Sequence, residues 1–283
     1  MKDQYWDTIL SPTRPFFQLK LGEVWNSRDL LWLFTKRDIA QLYKQTILGP
    51  LWFFLQPLLT TIVFTVVFGG IAAMSTDGIP PMLFYLAGQV FWVHFAEVLN
   101  KTSTTFRDNQ SIFGKVYFAR LIAPLSVVLN SLIKFGIQLT LFVIIYLYFI
   151  LFEGTPIQLH WQAALLPVLI ILTGLMGLGM GLIITSLTTK YRDLTFLVTF
   201  GVQLLMFITP SVIYPLSEVS PEYRFLAGLN PLTAVIETFK YGFLGEGTFS
   251  WLYFGSSVVT TLVLFLAGVL IFNKTEKNFM DVI

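Results

Sequence analysis

From residue 51 onward the chain alternates between long uncharged stretches and short segments that carry most of its charge. A hydrocarbon core about 30 Å thick needs roughly 20 apolar residues in a helix. Six runs of about that length, bounded by charge, Pro or Gly, fall at about 51–73, 82–99, 122–152, 163–188, 194–214 and 251–272. The pattern predicts an all-α membrane protein with six transmembrane helices, the third longer than one crossing needs. A transmembrane barrel would require strands of about ten residues alternating in polarity. Continuous apolar blocks such as 139–152 exclude it.

Ahead of these runs, residues 1–50 form a separate cytoplasmic segment, and 51–283 form the membrane domain. Pro12 and Pro15 discourage a helix near the start. Further on, Trp32, Thr35, Ile39, Leu42, Tyr43, Thr46 and Ile47 recur at helical spacing, opposite Arg37, Asp38, Gln41, Lys44 and Gln45. Such a helix is expected to lie along the membrane surface, with Arg37, Tyr43 and Lys44 at the interface. Gly49 ends it, and Pro50 enters the first turn of the next helix, where a missing N–H costs nothing. The first fifty residues lack the order of a cleaved signal peptide, so none is expected.

Two polar insertions interrupt the membrane domain. Residues 101–120 mix charge with Phe106, Ile112, Phe113, Val116, Tyr117 and Phe118. This composition predicts a short cytoplasmic helix that offers aromatic side chains to a soluble partner. Residues 214–250 are broken by Pro215, Pro221 and Pro231, yet 232–244 reads as amphipathic and too short or too polar to cross. Short helices that re-enter the outer half of the membrane fit this stretch and make it a candidate external gate.

Composition agrees with a bilayer setting: 55% of residues are hydrophobic and 12% charged, against about one quarter charged in soluble domains. Lys and Arg set the orientation, because cytoplasmic loops retain positive charge. With the amino terminus inside, the cytoplasmic segments hold Lys36, Arg37 and Lys44, then Lys101, Arg107, Lys115 and Arg120, then Lys190 and Arg192, then Lys274 and Lys277. The external loops hold only Arg224 and Lys240. Both termini are therefore expected in the cytoplasm. The net charge of +2 reflects topology and supplies no basic patch for nucleic acid.

Candidate chemistry is sparse. There is no Cys, the only histidines are His94 and His160, and no catalytic set or metal-ligand cluster is spaced for work. The chain lacks a phosphate-binding G-x-x-x-x-G-K-[ST] loop, so it is not expected to be an enzyme or to bind a cofactor, and any energy must come from another protein. Gly174, Gly177, Gly179 and Gly181 lie inside an apolar run and read as helix-packing positions. His94, Glu97 and Lys134 are ionisable groups within spans, for which a structural Glu97–Lys134 pair is favoured over a proton relay. Among the many aromatics of the first two spans, Trp52, Phe53, Phe64, Phe84, Phe91 and Trp92 are candidates to line a route for sugar rings.

The segments "RDIAQLYKQTILGPLWFFLQPLLT" (37–60), "IFGKVYFARLIAPLSVVLNSLIKF" (112–135), "KYRDLTFLVTFGVQLLMFITPSVIYP" (190–215) and "LNPLTAVIETFKYGFLG" (229–245) carry a resemblance to ABC-2 type permeases of bacterial polysaccharide exporters. The O-antigen and capsule group is most similar, with teichoic acid permeases as cousins. The resemblance implies a homodimer docked on two copies of a separate ATPase subunit, which binds ATP and Mg. It also implies export of a lipid-linked glycan across the bacterial inner membrane. Residues 37–47 match the family's interfacial helix. Arg107, Asp108, Ile112, Phe113, Gly114, Lys115, Val116 and Tyr117 match its ATPase-coupling helix. Asn230, Pro231, Leu232, Glu237 and Lys240 fall in its external re-entrant region, although the family often has Arg where Lys240 stands. The first two dozen residues have no clear counterpart. The rival expectations are an exporter of drugs or small lipids and a membrane scaffold that transports nothing.

Overall fold

The computed structural model describes residues 21–43, 49–113, 118–189, 191 and 193–282, and every regular element among them is helical. A short helix α1 (Leu21–Asn26) leads into α2 (Arg28–Tyr43). Gly49 adopts a left-handed φ of 44° and opens a 3-10 turn, Gly49–Leu51, that feeds α3 (Trp52–Phe64). This is the predicted Gly-Pro turn ahead of the first span. The helix α3 continues as a π-helical segment, Thr65–Ile71. Next come α4 (Pro81–Thr102), two single turns α5 (Thr105–Asp108) and α6 (Gln110–Phe113), and the long α7 (Ile122–Leu151). A 3-10 turn, Trp161–Leu165, precedes α8 (Leu166–Thr188), followed by α9 (Leu194–Ile208), α10 (Pro221–Gly228), α11 (Pro231–Leu244) and α12 (Trp251–Val282).

Five of these stretches are long and apolar enough to cross a bilayer: Trp52–Ile71, Pro81–Thr102, Ile122–Leu151, Trp161–Thr188 and Trp251–Glu276. The expected run at 194–214 differs. Its helix stops at Ile208 because Thr209, which precedes Pro210, is pushed out of the α region to ψ 109°. The remaining α9 has 15 residues and a length of about 22 Å at 1.5 Å per residue, short of the hydrocarbon thickness.

The bundle is organised around α4. Some 78% of its apolar window is buried, against 11% for Trp52–Ile71 and 22% for Ile122–Leu151. Helix α8 packs on α4 through glycine: a Cβ at Gly177 would meet the Phe95 carbonyl oxygen at 2.9 Å, and one at Gly181 would meet Thr102 at 2.6 Å. The other face of α8 meets α12 where Gly179 and Gly268 bring the two backbones together. Small residues permit this approach, and backbone contact replaces side-chain burial as the source of attraction.

One further expectation is corrected. The stretch 232–244 is not amphipathic in place. Leu232, Val235, Ile236, Glu237, Phe239 and Lys240 are all buried, because α11 is wedged among α4, α12 and the start of α8. On α2 the buried side is Phe34 and Thr35, whereas Trp32 (54% exposed) and Leu33 (61%) face outward. Trp32 lies beside Lys36, whose ammonium is 5.4 Å from its ring centroid, an outward placement compatible with a helix along the membrane surface.

Candidate functional site

Three places hold the polar side chains that α4, α7, α8 and α11 bury or arrange. At the C-terminal end of α4 and α8, the turns α5 and α6 are fastened to the bundle. The Phe106 N–H donates to Thr185 Oγ1 at 3.4 Å, and Thr188 Oγ1 donates to the Ser103 carbonyl at 2.7 Å. The Phe106 ring stacks on Phe272 of α12 with centroids 4.6 Å apart, and Phe113 sits edge-on to Phe106. Phe106 and Phe113 are thus 1% and 4% exposed. This corrects the expectation that they are presented to a partner: their burial in a cluster with Phe34, Leu178 and Phe272 is worth more than exposure would be. The surface of these turns consists of Arg107, Asp108, Gln110 and Ser111. Arg107 pairs with Asp108 at 3.1 Å and reaches Thr195 on α9 at 3.4 Å. Ile112 is half-buried. Gly114, Lys115, Val116 and Tyr117 lie outside the described residues, as does Lys44. Tyr43 closes α2 and Arg37 pairs with Asp38 at 2.7 Å while covering the Phe34 ring.

Between α3, α4 and α7 lies a half-open cavity of about 300 Å³. Its charged wall is Glu97, paired with Lys134 across the helices and with Lys101 at 3.1 Å one turn along α4. Both lysines reach the same carboxylate oxygen, Oε1. Phe53 and Trp92 supply aromatic walls, and Gln56, Asn100 and Gln138 supply carboxamides. Of the aromatics read from the sequence as channel candidates, Phe53 and Trp92 meet here. Trp52 is 48% exposed at the start of α3. Phe64 packs against Phe68 and Tyr85. Phe84 and Phe91 are 1% and 0% exposed, packed in the core, and present no surface to a polymer within this chain. The three carboxamides were not singled out beforehand, although Gln56 and Gln138, each an isolated polar group in an apolar run, carried the signal. One turn away from the cavity on α4, His94 Nδ1 meets Ser131 Oγ at 2.8 Å.

At the opposite end, α11 places Glu237 and Lys240 one turn apart, both buried. Asn230 caps the helix by accepting from the Leu232 N–H at 3.1 Å, Pro231 occupies the first position, and Gly245 closes it with a left-handed φ of 78°. Glu237 accepts from Ser211 Oγ, from the Thr248 N–H at 2.7 Å and from Thr248 Oγ1 at 3.1 Å. Lys240 donates to the Ser211 carbonyl at 2.7 Å and lies over the Phe84 ring. Burial pushes its ammonium down to about 7, while the Glu237 and Asp77 carboxylates pull the other way. The expected gate residues therefore form an internal clasp. It holds the non-helical chain near Ser211, where φ is 72°, and the chain at Thr248 to α11.

No group of His, Cys, Asp or Glu among the described residues is disposed to hold a metal ion. What the fold offers is a bundle of apolar helices with the turns α5 and α6 fastened at one end, and residues 29–244 match the sequence pattern of the ABC-2 type transporter family. The chain belongs to that family. As an ABC-2 membrane domain it is a transporter component, and a multi-pass membrane protein. It is similar to an O-antigen export system permease protein RfbA of Klebsiella pneumoniae, 25% identical over 255 residues that cover 90% of this chain and 95% of the relative. An RfbA permease protein of Myxococcus xanthus is 26% identical over 77% of this chain and 81% of the relative. The polysialic acid transport protein KpsM of Escherichia coli is 24% identical over 82% and 88%.

Proposed function

We propose that this ABC-2 membrane domain is the permease of an ATP-driven exporter that carries polysaccharide, borne on a lipid, out across the bacterial inner membrane. The observation that carries the reading is the family match over residues 29–244 together with relatives named for O-antigen export and polysialic acid transport, matched along most of both chains. In this reading α9 is a sixth, shortened crossing, α10 and α11 close the outer end, and both termini are cytoplasmic.

A separate ATPase supplies the power stroke, binding ATP and Mg, and docks on the edge formed by Arg107, Asp108, Gln110 and Ser111. Two features support the transmission of its motion. The turn α5 is hydrogen-bonded to α8, and Phe106 is stacked on α12, so displacement of α5 loads both helices. The apolar exposure of Phe196 (81%), Phe200 (57%) and Leu197 (64%) on α9, with Leu59 and Val63 on α3, supports a second copy or lipid as the covering layer. A polymer moves through such a dimer when each contact is weak and repeated, since tight binding at one place would stall it.

Deletion of the gene in its host, with complementation by the intact chain, tests the reading. The expected outcome is loss of surface polysaccharide with intracellular glycan accumulation, both reversed by complementation. Unchanged surface polysaccharide in the deletion strain would overturn it.

A further inference from the structure

The cavity between α3, α4 and α7 is built unlike the rest of the bundle interior. Gln138 is only 6% exposed, yet its carboxamide makes no hydrogen bond among the described residues, and it lines the cavity. The Asn100 Oδ1 atom is likewise buried without a partner. Because Lys101 and Lys134 both engage Glu97 through Oε1, the second carboxylate oxygen has no hydrogen bond among the described residues. Asn100 Oδ1, buried and unpaired, costs about 1–3 kcal/mol, and the cavity-lining polar groups of Gln56, Glu97 and Gln138 beside it present both donors and acceptors to a polar ligand.

Three properties define that ligand. The open atoms include acceptors, Glu97 Oε2 and Asn100 Oδ1, as well as the amide donors of Gln56 and Gln138. A hydroxyl serves both kinds, since it donates and accepts, whereas a phosphate would bring negative charge against the Glu97 carboxylate. The lysines that would attract an anion are already committed to Glu97. The flanking walls are Phe53 and Trp92, flat apolar faces of the sort that cover a C–H surface. Finally, the volume of about 300 Å³ lies at the bottom of the range of roughly 300–1,000 Å³ for small-molecule sites, which suits one ring rather than a length of polymer.

We infer that this cavity binds a single neutral pyranose ring, with Trp92 or Phe53 against its apolar face and the Gln56, Asn100, Glu97 and Gln138 polar atoms on its hydroxyls. The inference rests on the polysaccharide export reading for the source of the ring. In the proposed topology the cavity lies toward the cytoplasmic end of its spans, and its occupant is a sugar presented near the membrane surface.

The test uses the full-length chain in lipid nanodiscs and saturation-transfer difference NMR with methyl mannoside, methyl glucoside, methyl galactoside and N-acetylglucosamine at millimolar concentration. The expected result is transfer to ring protons of at least one sugar by the unaltered protein, lost to the level of empty nanodiscs in Gln138→Leu and in Gln56→Leu. Gln138→Leu keeps the side-chain volume and breaks no protein hydrogen bond, and Gln56 is exposed, so one variant serves if the other fails to fold. Absence of transfer from all four sugars, transfer unchanged in the folded variants, or abolition of transfer by inorganic phosphate would overturn the inference. The two readings fail separately. If the intact gene restores surface polysaccharide to the deletion strain but no sugar binds, only the ring site falls. If surface polysaccharide never depended on the gene, the export reading falls whatever the spectra show.

Discussion

Gly179 on α8 and Gly268 on α12 meet backbone to backbone, so that a Cβ added at Gly268 would run into the Gly179 carbonyl. A Cβ at Gly179 would lie 2.7 Å from the backbone of Leu264 and Phe265, where no flexible side chain can yield. Gly268→Leu should therefore separate the helices and cost about 3 kcal/mol or more, by the logic of an overpacked interface. The measurement is the thermal unfolding midpoint in detergent micelles. Gly136→Ala is the matched control: a Cβ there meets nothing within 4 Å, so replacement of a mid-helix glycine should leave stability unchanged or raise it by about 0.5–1 kcal/mol. Equal midpoints for the two variants would show that the glycine contact does not hold α8 to α12.

The Glu97–Lys134 pair joins α4 to α7 with both side chains largely sheltered, at 15% and 13% exposure. Loss of Glu97 strands the Lys134 charge, a cost of about 3–5 kcal/mol for a buried pair, whereas loss of Lys134 leaves Glu97 with Lys101 and should cost less. Glu97→Gln and Lys134→Met should each lower the unfolding midpoint, and the double variant should recover most of the loss, a coupling that a double-mutant cycle reads directly. Strictly additive losses would mean that the two groups act independently.

Much of this architecture was legible in the hydrophobic pattern because a membrane demands long, uninterrupted apolar helices. The boundaries at 81–102, 122–151 and 161–188 lie within about three residues of those read from charge and proline. The glycine run of α8 also announced its packing role by spacing alone. What escaped was the direction each side chain takes. Phe106 and Phe113 look like a partner surface in a charged loop, and only the fold shows that Phe272, some 160 residues distant, covers them. Helix α11 carries Glu237 and Lys240 and so reads as half exposed. Thr248 just beyond the helix, and Ser211 and the Phe84 ring, both remote in sequence, satisfy these groups inside the protein. The carboxamides of the cavity were visible as isolated Gln and Asn residues, but their convergence depends on how α3, α4 and α7 cross.

Burial of the aromatics leaves Arg107 as an exposed cation on the α5–α6 edge, and this separates docking from stability. Arg107→Glu should weaken copurification of the ATPase while shifting stability by no more than about 0.5 kcal/mol, as for most surface changes. Phe106→Ala should instead cost about 3–5 kcal/mol through the cavity it leaves. Pull-down of the tagged ATPase and thermal unfolding of the free permease, run on the same variants, distinguish the two effects. Undiminished copurification with Arg107→Glu would move the docking edge elsewhere.

Lys240 makes the clasp on α11 sensitive to alkali in a defined direction. Burial holds its folded value near 7, below the ordinary 10.5, with Glu237 and Asp77 opposing the shift. Between those two values the unfolded chain binds more protons at this site than the folded one, so stability rises with pH across the window, by at most about 1.4 kcal/mol per unit. Lys240→Met keeps the chain length and removes the titration. Thermal midpoints measured from pH 7 to pH 10 should therefore climb more steeply for the unaltered protein than for the variant. Parallel curves would show that Lys240 is equally protonated in both states.

The absence of Cys makes the topology directly readable with single introduced thiols. Leu232 and Phe239, though part of the outer region, are 2% and 1% exposed and would be silent to any reagent. Glu222 on α10 and Ser111 on α6 are both exposed and sit at opposite ends of the bundle in the proposed topology. With intact spheroplasts and a membrane-impermeant maleimide, Glu222→Cys should label at once, and Ser111→Cys only after lysis. The reverse pattern would place the cationic loops outside, contrary to the retention of positive charge in the cytoplasm. It would also put Arg107 out of reach of a cytoplasmic ATPase, so the orientation and the docking edge stand or fall on the same pair of thiols.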